Sequence, residues 1–240
     1  MKNKWLPFLT VLVLVLLWQI QAIRIGNRTL FPYPVDTANA LFELLSSTDT
    51  YRIIGLSMFR LIFSAGLSSL VGIGVGILAG LKPMIASALT PIVSTLRTLP
   101  VASLIVVILI LFGQQFALYV ITFLMLFPLN YEAARQGIAN IERSLEEVLT
   151  LESDHILKGL WKVRIPLALP YIKTGFLQSI GIGFKVLVVA EFISQTPRSI
   201  GYALYMGRIT IAYDVVFAWT VLLIAIVISI EHFIKRLKSY

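Results

Sequence analysis

Residues 53–81 read IIGLSMFRLIFSAGLSSLVGIGVGILAGL, an apolar run interrupted by a single charge, Arg60. A membrane helix needs about 20 mostly apolar residues to cross ~30 Å of hydrocarbon. This run is longer than that, so it must tilt or bend. Five further stretches are long enough to cross, at 5–23, 85–112, 116–134, 170–193 and 215–234. In 85–112, Pro91 and Pro100 are natural places to bend. The whole chain follows the same pattern: 58% of its 240 residues are hydrophobic and 13% charged, with a mean hydropathy of +0.89. Soluble domains average roughly 45–50% apolar and 25% charged. The composition excludes a disordered chain, a nucleic-acid module and an ordinary soluble enzyme. It predicts an all-α polytopic membrane protein, a single domain over 1–240 with about six transmembrane helices. There is no cysteine, which excludes a disulfide framework and any Cys-ligated metal.

The net charge of +8 is first a topology signal. Six crossings put both termini on one side, together with Lys2, Lys4, Lys82, Arg135, Lys158, Lys162, Arg164 and Lys235. The opposite side keeps Arg24, Arg28, Arg52, Arg198 and Arg208. The richer side belongs in the cytoplasm. The first stretch follows Lys2 and Lys4 as a secretory leader would, but its apolar run is long and Ile20-Gln21-Ala22 is a poor cleavage site, so it reads as a retained anchor.

Two outer segments are more than turns. In 35–45, Val35, Ala38, Leu41, Phe42 and Leu45 recur at helical spacing, which predicts a short surface helix. The segment 194–213 carries Pro197, Gly201 and Gly207 and reads as a loop or re-entrant turn.

The one sizeable cytoplasmic segment, 136–169, is too small for a catalytic domain. Ser144-Leu145-Glu146-Glu147 has the spacing of a capping box. A second helix can start at Ser153 or Asp154, with Ile156, Leu157, Leu160 and Trp161 on one face and His155, Lys158 and Lys162 elsewhere. Pro166 and Pro170 are expected to stop it. Such a pair is either a docking surface for another subunit or a passive interfacial element.

Here the sequence resembles the permease subunits of bacterial ABC importers. Their cytoplasmic loop carries E-A-A, three residues, Gly, nine residues, then I-x-L-P. At that spacing stand Glu147-Val148-Leu149, Ser153 and Val163-Arg164-Ile165-Pro166. The glutamate and proline match, whereas Val148, Leu149 and Ser153 replace the alanines and the glycine. The literal Glu132-Ala133-Ala134 leads to neither the glycine nor the I-x-L-P ending and reads as a decoy. Leu30-Phe31-Pro32-Tyr33-Pro34, Ser57-Met58-Phe59-Arg60, Arg97-Thr98-Leu99-Pro100, Ala190-Glu191 and Ile200-Gly201 are similar, in order, to pieces of the nitrate/sulfonate/taurine-type branch.

The resemblance implies the type I importer permease fold, in the cytoplasmic membrane of a bacterium. It implies a second permease copy, a cytoplasmic ATPase dimer that binds the ATP, and an extracytoplasmic substrate-binding protein. It also implies that Glu147, Ser153, Ile156, Leu157, Leu160, Trp161 and Pro166 form or brace the element that docks on the ATPase. The substrates of that branch are oxyanions, sulfonates and vitamin precursors.

A charge within a span costs at least ~2.5–3.5 kcal/mol at the bilayer centre, so it faces a cavity or a partner unless it can snorkel. Arg60, Arg97, Lys185 and Glu191 are therefore candidates for lining a translocation pathway. Arg97 and Lys185 lead, because a basic cavity suits an anion. Arg60 and Glu191 sit toward the span ends, where snorkelling suffices. Gly72, Gly76 and Gly80 form overlapping G-x-x-x-G patterns, which serve either packing within one subunit or a dimer contact. The sequence holds no P-loop and no H-E-x-x-H, and His155 and His232 are far apart. No cofactor, metal or catalytic group is expected on this chain. The competing function is a secondary transporter driven by an ion gradient, a class that often shows internal repeats; none is clear here.

Overall fold

A computed structural model describes residues 5–141 and 163–238. Among them every regular element is a helix: α1 Trp5–Ile25, α2 Pro34–Ser46, α3 Thr48–Leu81, α4 Pro83–Thr98, α5 Val101–Ala139, α6 Ile165–Ser194, α7 Ile200–Ile209 and α8 Tyr213–Lys238. Four are long and apolar enough to cross a bilayer: α3, α5, α6 and, within α8, Tyr213–Arg236. The apolar part of α1, Leu9–Ile25, is shorter. Large apolar side chains such as Leu14, Ile62, Leu70, Ile110 and Ile228 lie exposed, as a lipid-facing surface requires.

The surface helix expected at 35–45 is α2. Its first turn is fixed by Pro34, whose missing N–H costs nothing there, and by the Asp36 carboxylate, which accepts from the Tyr33 N–H at 3.2 Å. A Trp18 N–H donates to the Pro32 carbonyl at 3.0 Å, and Trp18 and Phe31 both pack on the Phe217 ring. These contacts tie α1 to the lead-in of α2 and to α8.

The stretch 85–112 is broken rather than bent. α4 ends at Thr98, Leu99 and Pro100 are extended, and α5 starts at Val101. At about 1.5 Å per residue the 39 residues of α5 would span nearly twice the hydrocarbon thickness. Gly113, at φ 70° and ψ 169°, divides it into two arms. Ile105 and Ile108 of the first arm share an apolar cluster with Leu118 and Ile121 of the second.

The most extensive packing joins α5 to α3 and to α6. The G-x-x-x-G stripe of α3 faces the second arm of α5 within the subunit. A methyl group added to Gly76 would overlap the Tyr131 carbonyl and lie 2.8 Å from Ala134 Cβ. The intramolecular reading of that stripe therefore holds.

Two elements depart from the sequence expectation. The segment 194–213 is not simply a loop, because α7 occupies ten residues of it. Pro197 precedes the cap at Ser199, and Gly201 admits a close approach rather than a turn. The fifth crossing begins at Ile165, with Pro166 in its first turn and Pro170 carried inside. A proline so near a helix start forfeits one backbone bond at most. Glu147, Ser153, Ile156, Leu157, Leu160 and Trp161 lie outside the described residues, and Pro166 is the one coupling candidate within them.

Candidate functional site

α7 is a short helix, and each of its first three N–H groups needs a partner. Three residues supply them, one from α3, one from α6 and the cap residue that precedes α7. The Ile200 N–H donates to Ser57 Oγ at 3.2 Å, the Gly201 N–H to Glu191 Oε2 at 3.2 Å, and the Tyr202 N–H to Ser199 Oγ at 3.0 Å. A carboxylate at a helix N-terminus is further favoured by the helix dipole.

Glu191 itself is fully enclosed, at 0% exposure. Burying an ionised carboxylate is costly unless it is paired and hydrogen-bonded. The Ser57 hydroxyl lies 2.8 and 3.0 Å from its two oxygens, and Arg60 Nη1 donates to Oε1 at 3.1 Å. The same Arg60 nitrogen reaches the Arg198 carbonyl at 3.4 Å, where the backbone is left-handed at φ 55°. Gly201 lets α7 come this close: a methyl there would lie 2.5 Å from both Glu191 Cβ and the Val188 carbonyl and would overlap the Phe192 nitrogen. The result is a clasp joining α3, α6 and α7. Beside it the Gln114 amide, just past the Gly113 break, donates to the Ser194 and Gln195 carbonyls at 2.5 and 2.9 Å and caps the end of α6.

A cavity of about 480 Å³ opens toward the other end of the bundle, where α4, the second arm of α5 and the first half of α6 meet. Arg97, Glu132, Gln136, Tyr171, Thr174 and Gln178 supply its polar wall. Glu132 is committed to Arg135, through bonds of 2.6 and 3.0 Å, and to Gln136 at 2.8 Å. Glu132-Ala133-Ala134 thus lies inside α5 rather than in the loop.

Of the four charges singled out from the sequence, Arg60 and Glu191 meet in the clasp. Arg97 borders the cavity, and Lys185 lies exposed on α6. Glu191 does not snorkel. Sequence reading missed Ser57 as a partner, Gln114, and the polar wall of α6. The last had a signal: Tyr171, Gln178 and Lys185 are spaced by heptads, which keeps them on one helix face with a drift of only ~20° per step.

Long apolar helices packed around a buried ion pair define a polytopic membrane protein. The chain belongs to the family described as binding-protein-dependent transport system inner membrane component, whose model matches residues 72–239. It is similar to SsuC of Bacillus subtilis (strain 168), named for aliphatic sulfonates transport, at 27% identity over 229 residues, covering 94% of this chain and 82% of that protein. The taurine transport system permease protein TauC of Escherichia coli (strain K12) is 24% identical over 232 residues, covering 94% and 84%. The nitrate import permease protein NrtB of Synechocystis (strain PCC 6803) is 26% identical over 200 residues, covering 78% and 71%. The three motif pieces carrying Ser57–Arg60, Ala190-Glu191 and Ile200-Gly201 converge in the clasp.

Proposed function

We propose that this chain is the permease subunit of an ABC importer of small anions or small organic solutes, and that it works as a pair of copies. The observation that carries this is the family match over 72–239, which spans the whole of 136–169. Within that segment the spacing from Glu147 through Ser153 to Pro166 follows the family's ATPase-docking loop. A cytoplasmic ATPase dimer binds the ATP, and an extracytoplasmic binding protein delivers the solute. Glu147 and Pro166 brace the loop, and Ser153, Ile156, Leu157, Leu160 and Trp161 form its docking element. The basic residues put both termini, and the cavity end of the bundle, on the cytoplasmic side of the bacterial plasma or inner membrane.

Arg97 and Lys185 line the pathway in this reading, while Arg60 and Glu191 frame it by holding α7. An exposed Gln178 and Lys185 along a membrane helix are poorly matched to lipid. That supports a second copy, or water, facing this side of α6. The relatives carry names of sulfonate, taurine and nitrate permeases, which supports a small, mostly anionic cargo. They do not favour an ion-gradient transporter.

The test is co-purification of the chain with an ATPase encoded in the same organism, followed by the triple variant I156D/L157D/W161D. The expected result is a variant that inserts normally but loses ATPase association and solute-stimulated hydrolysis. Transport by the chain without an ATPase, or normal coupling in the variant, would end the proposal.

A further inference from the structure

Resting on the permease reading, we propose that the cavity at Arg97 is a small-anion site on the route of the transported solute. Its charges do not balance. The one carboxylate in its wall, Glu132, has both oxygens engaged by Arg135 and Gln136. Arg97 is within electrostatic reach of Glu132, yet forms no hydrogen bond or ion pair among the described residues. The wall therefore presents one uncompensated guanidinium, a group whose planar fork of donors suits oxyanions.

Neutral donors surround it. The Tyr171 phenol, the Thr174 hydroxyl and the Gln178 amide line the cavity and make no hydrogen bond among the described residues. Their spacing of three, four and seven puts all three on one face of α6. Close packing lies beneath them: Gly175 meets Ala133 so tightly that a methyl on the glycine would overlap it. The hollow is thus built above a contact of small residues, with Arg97 and the polar groups of α6 making no hydrogen bond among the described residues. At about 480 Å³ it falls within the range of small-ligand sites. One cation, uncharged donors and a neutralised acid select a small oxyanion such as a sulfonate, nitrate or bicarbonate over a cation.

The cavity also lies between the two helix ends that flank residues 142–162. Gln136 stands near the end of α5, and Tyr171 near the start of α6. An anion held there sits between the helices that carry the ATPase-docking segment, so its presence can be sensed where force is applied.

The experiment uses the full chain in phosphatidylcholine nanodiscs at constant ionic strength set with chloride. Thermal stabilisation is followed against methanesulfonate, nitrate and bicarbonate, since a ligand that binds only the folded state raises the midpoint. At least one probe is expected to stabilise the wild type. Arg97→Gln should weaken that probe by about tenfold or more, the order expected when a charged hydrogen bond is lost. Gln178→Glu should abolish the response by adding a negative charge, Arg97→Lys should retain part of it, and Arg52→Gln, at the other end of the bundle, should retain it all. Absence of stabilisation by every probe overturns the site, as does an equal response in Arg97→Gln and wild type. A third overturning result is that free anions do nothing while Arg97→Gln releases a co-purified anionic phospholipid, because the guanidinium then serves a headgroup. ATPase association is scored on the same samples. Its loss in the wild type counts against the permease reading, whereas its retention with no anion response counts against this site alone.

Discussion

Ser57 and Glu191 are 134 positions apart in sequence, yet the serine hydroxyl lies 2.8 and 3.0 Å from the two carboxylate oxygens. Ser57 is also the acceptor for the Ile200 N–H, so one hydroxyl passes a hydrogen bond from the start of α7 to the buried acid. With Arg60 one turn further along α3, the first half of that helix offers two groups to a single carboxylate. The charge on Glu191 is therefore a structural device. It fixes α7, and the left-handed turn at Arg198, against the rest of the bundle.

A double-mutant cycle measures the clasp. Arg60→Met leaves a buried carboxylate without its cation, and Glu191→Gln leaves a mostly buried guanidinium without its anion. Each single variant should lose about 3–5 kcal/mol of unfolding stability, the cost of an uncompensated buried charge. The double variant should lose less than the two together, with a coupling of roughly 1–3 kcal/mol. Additive losses in denaturant unfolding of the detergent-solubilised protein would show that the two groups act separately.

Gly74 and Gly76 lie on the same helix, and alanine at each should have different consequences. An added methyl at Gly74 meets nothing within 4 Å, whereas at Gly76 it runs into Tyr131 and Ala134. Gly76→Ala should cost about 1–3 kcal/mol, as over-packing does, and Gly74→Ala should be neutral or slightly stabilising. Equal effects, or a Gly76→Ala variant that alters only dimerisation, would move the α3 stripe to the subunit interface.

Gln114 tests the cap on α6. Its amide reaches two carbonyls at the helix end, next to the left-handed Gln195. Gln114→Ala removes the donor and should cost about 1 kcal/mol, the net worth of an ordinary hydrogen bond. Gln114→Glu sets an acceptor against two acceptors and should cost more. A glutamate variant as stable as wild type in thermal unfolding would show that solvent satisfies these carbonyls.

The crossings were legible because an apolar run of bilayer length is hard to place anywhere but in lipid, and α2 was legible from its helical periodicity. The break in 85–112 falls at Pro100, which the sequence marks as a bend but not as a full stop, and the turn at Gly113 falls in the Gly113-Gln114-Gln115 gap between two predicted stretches, although helix runs on through it. α7 is masked by Pro197, Gly201 and Gly207, which read as loop signals; Gly201 is in fact needed for contact with Glu191. The clasp depends on pairs more than 130 positions apart, which no local spacing reveals. Family-like order puts its pieces in one chain without saying that they touch. The polar wall of the cavity is different: its heptad spacing is visible, and it emerges only when single polar residues in apolar spans are read as one face.

Lys185 extends that face. Tyr171, Gln178 and Lys185 are all exposed on α6 at seven-residue intervals, so an imported solute moving along this helix toward the Arg97 cavity would meet the Lys185 ammonium first. If it lines the route, neutralising it should not disturb packing, because the side chain is exposed. It should reduce uptake of whichever of methanesulfonate, taurine, nitrate or bicarbonate the wild-type complex transports in proteoliposomes. Lys185→Gln is expected to lower that uptake about tenfold, corresponding to ~1.4 kcal/mol of lost interaction. Lys185→Arg should retain most of it, and ATPase association should stay intact in both. A lysine that merely snorkels to a lipid headgroup predicts the reverse: unchanged uptake, with the Lys185→Gln chain differing only in its dependence on anionic lipid. The two outcomes exclude each other, because the first follows the charge of the cargo and the second the charge of the bilayer.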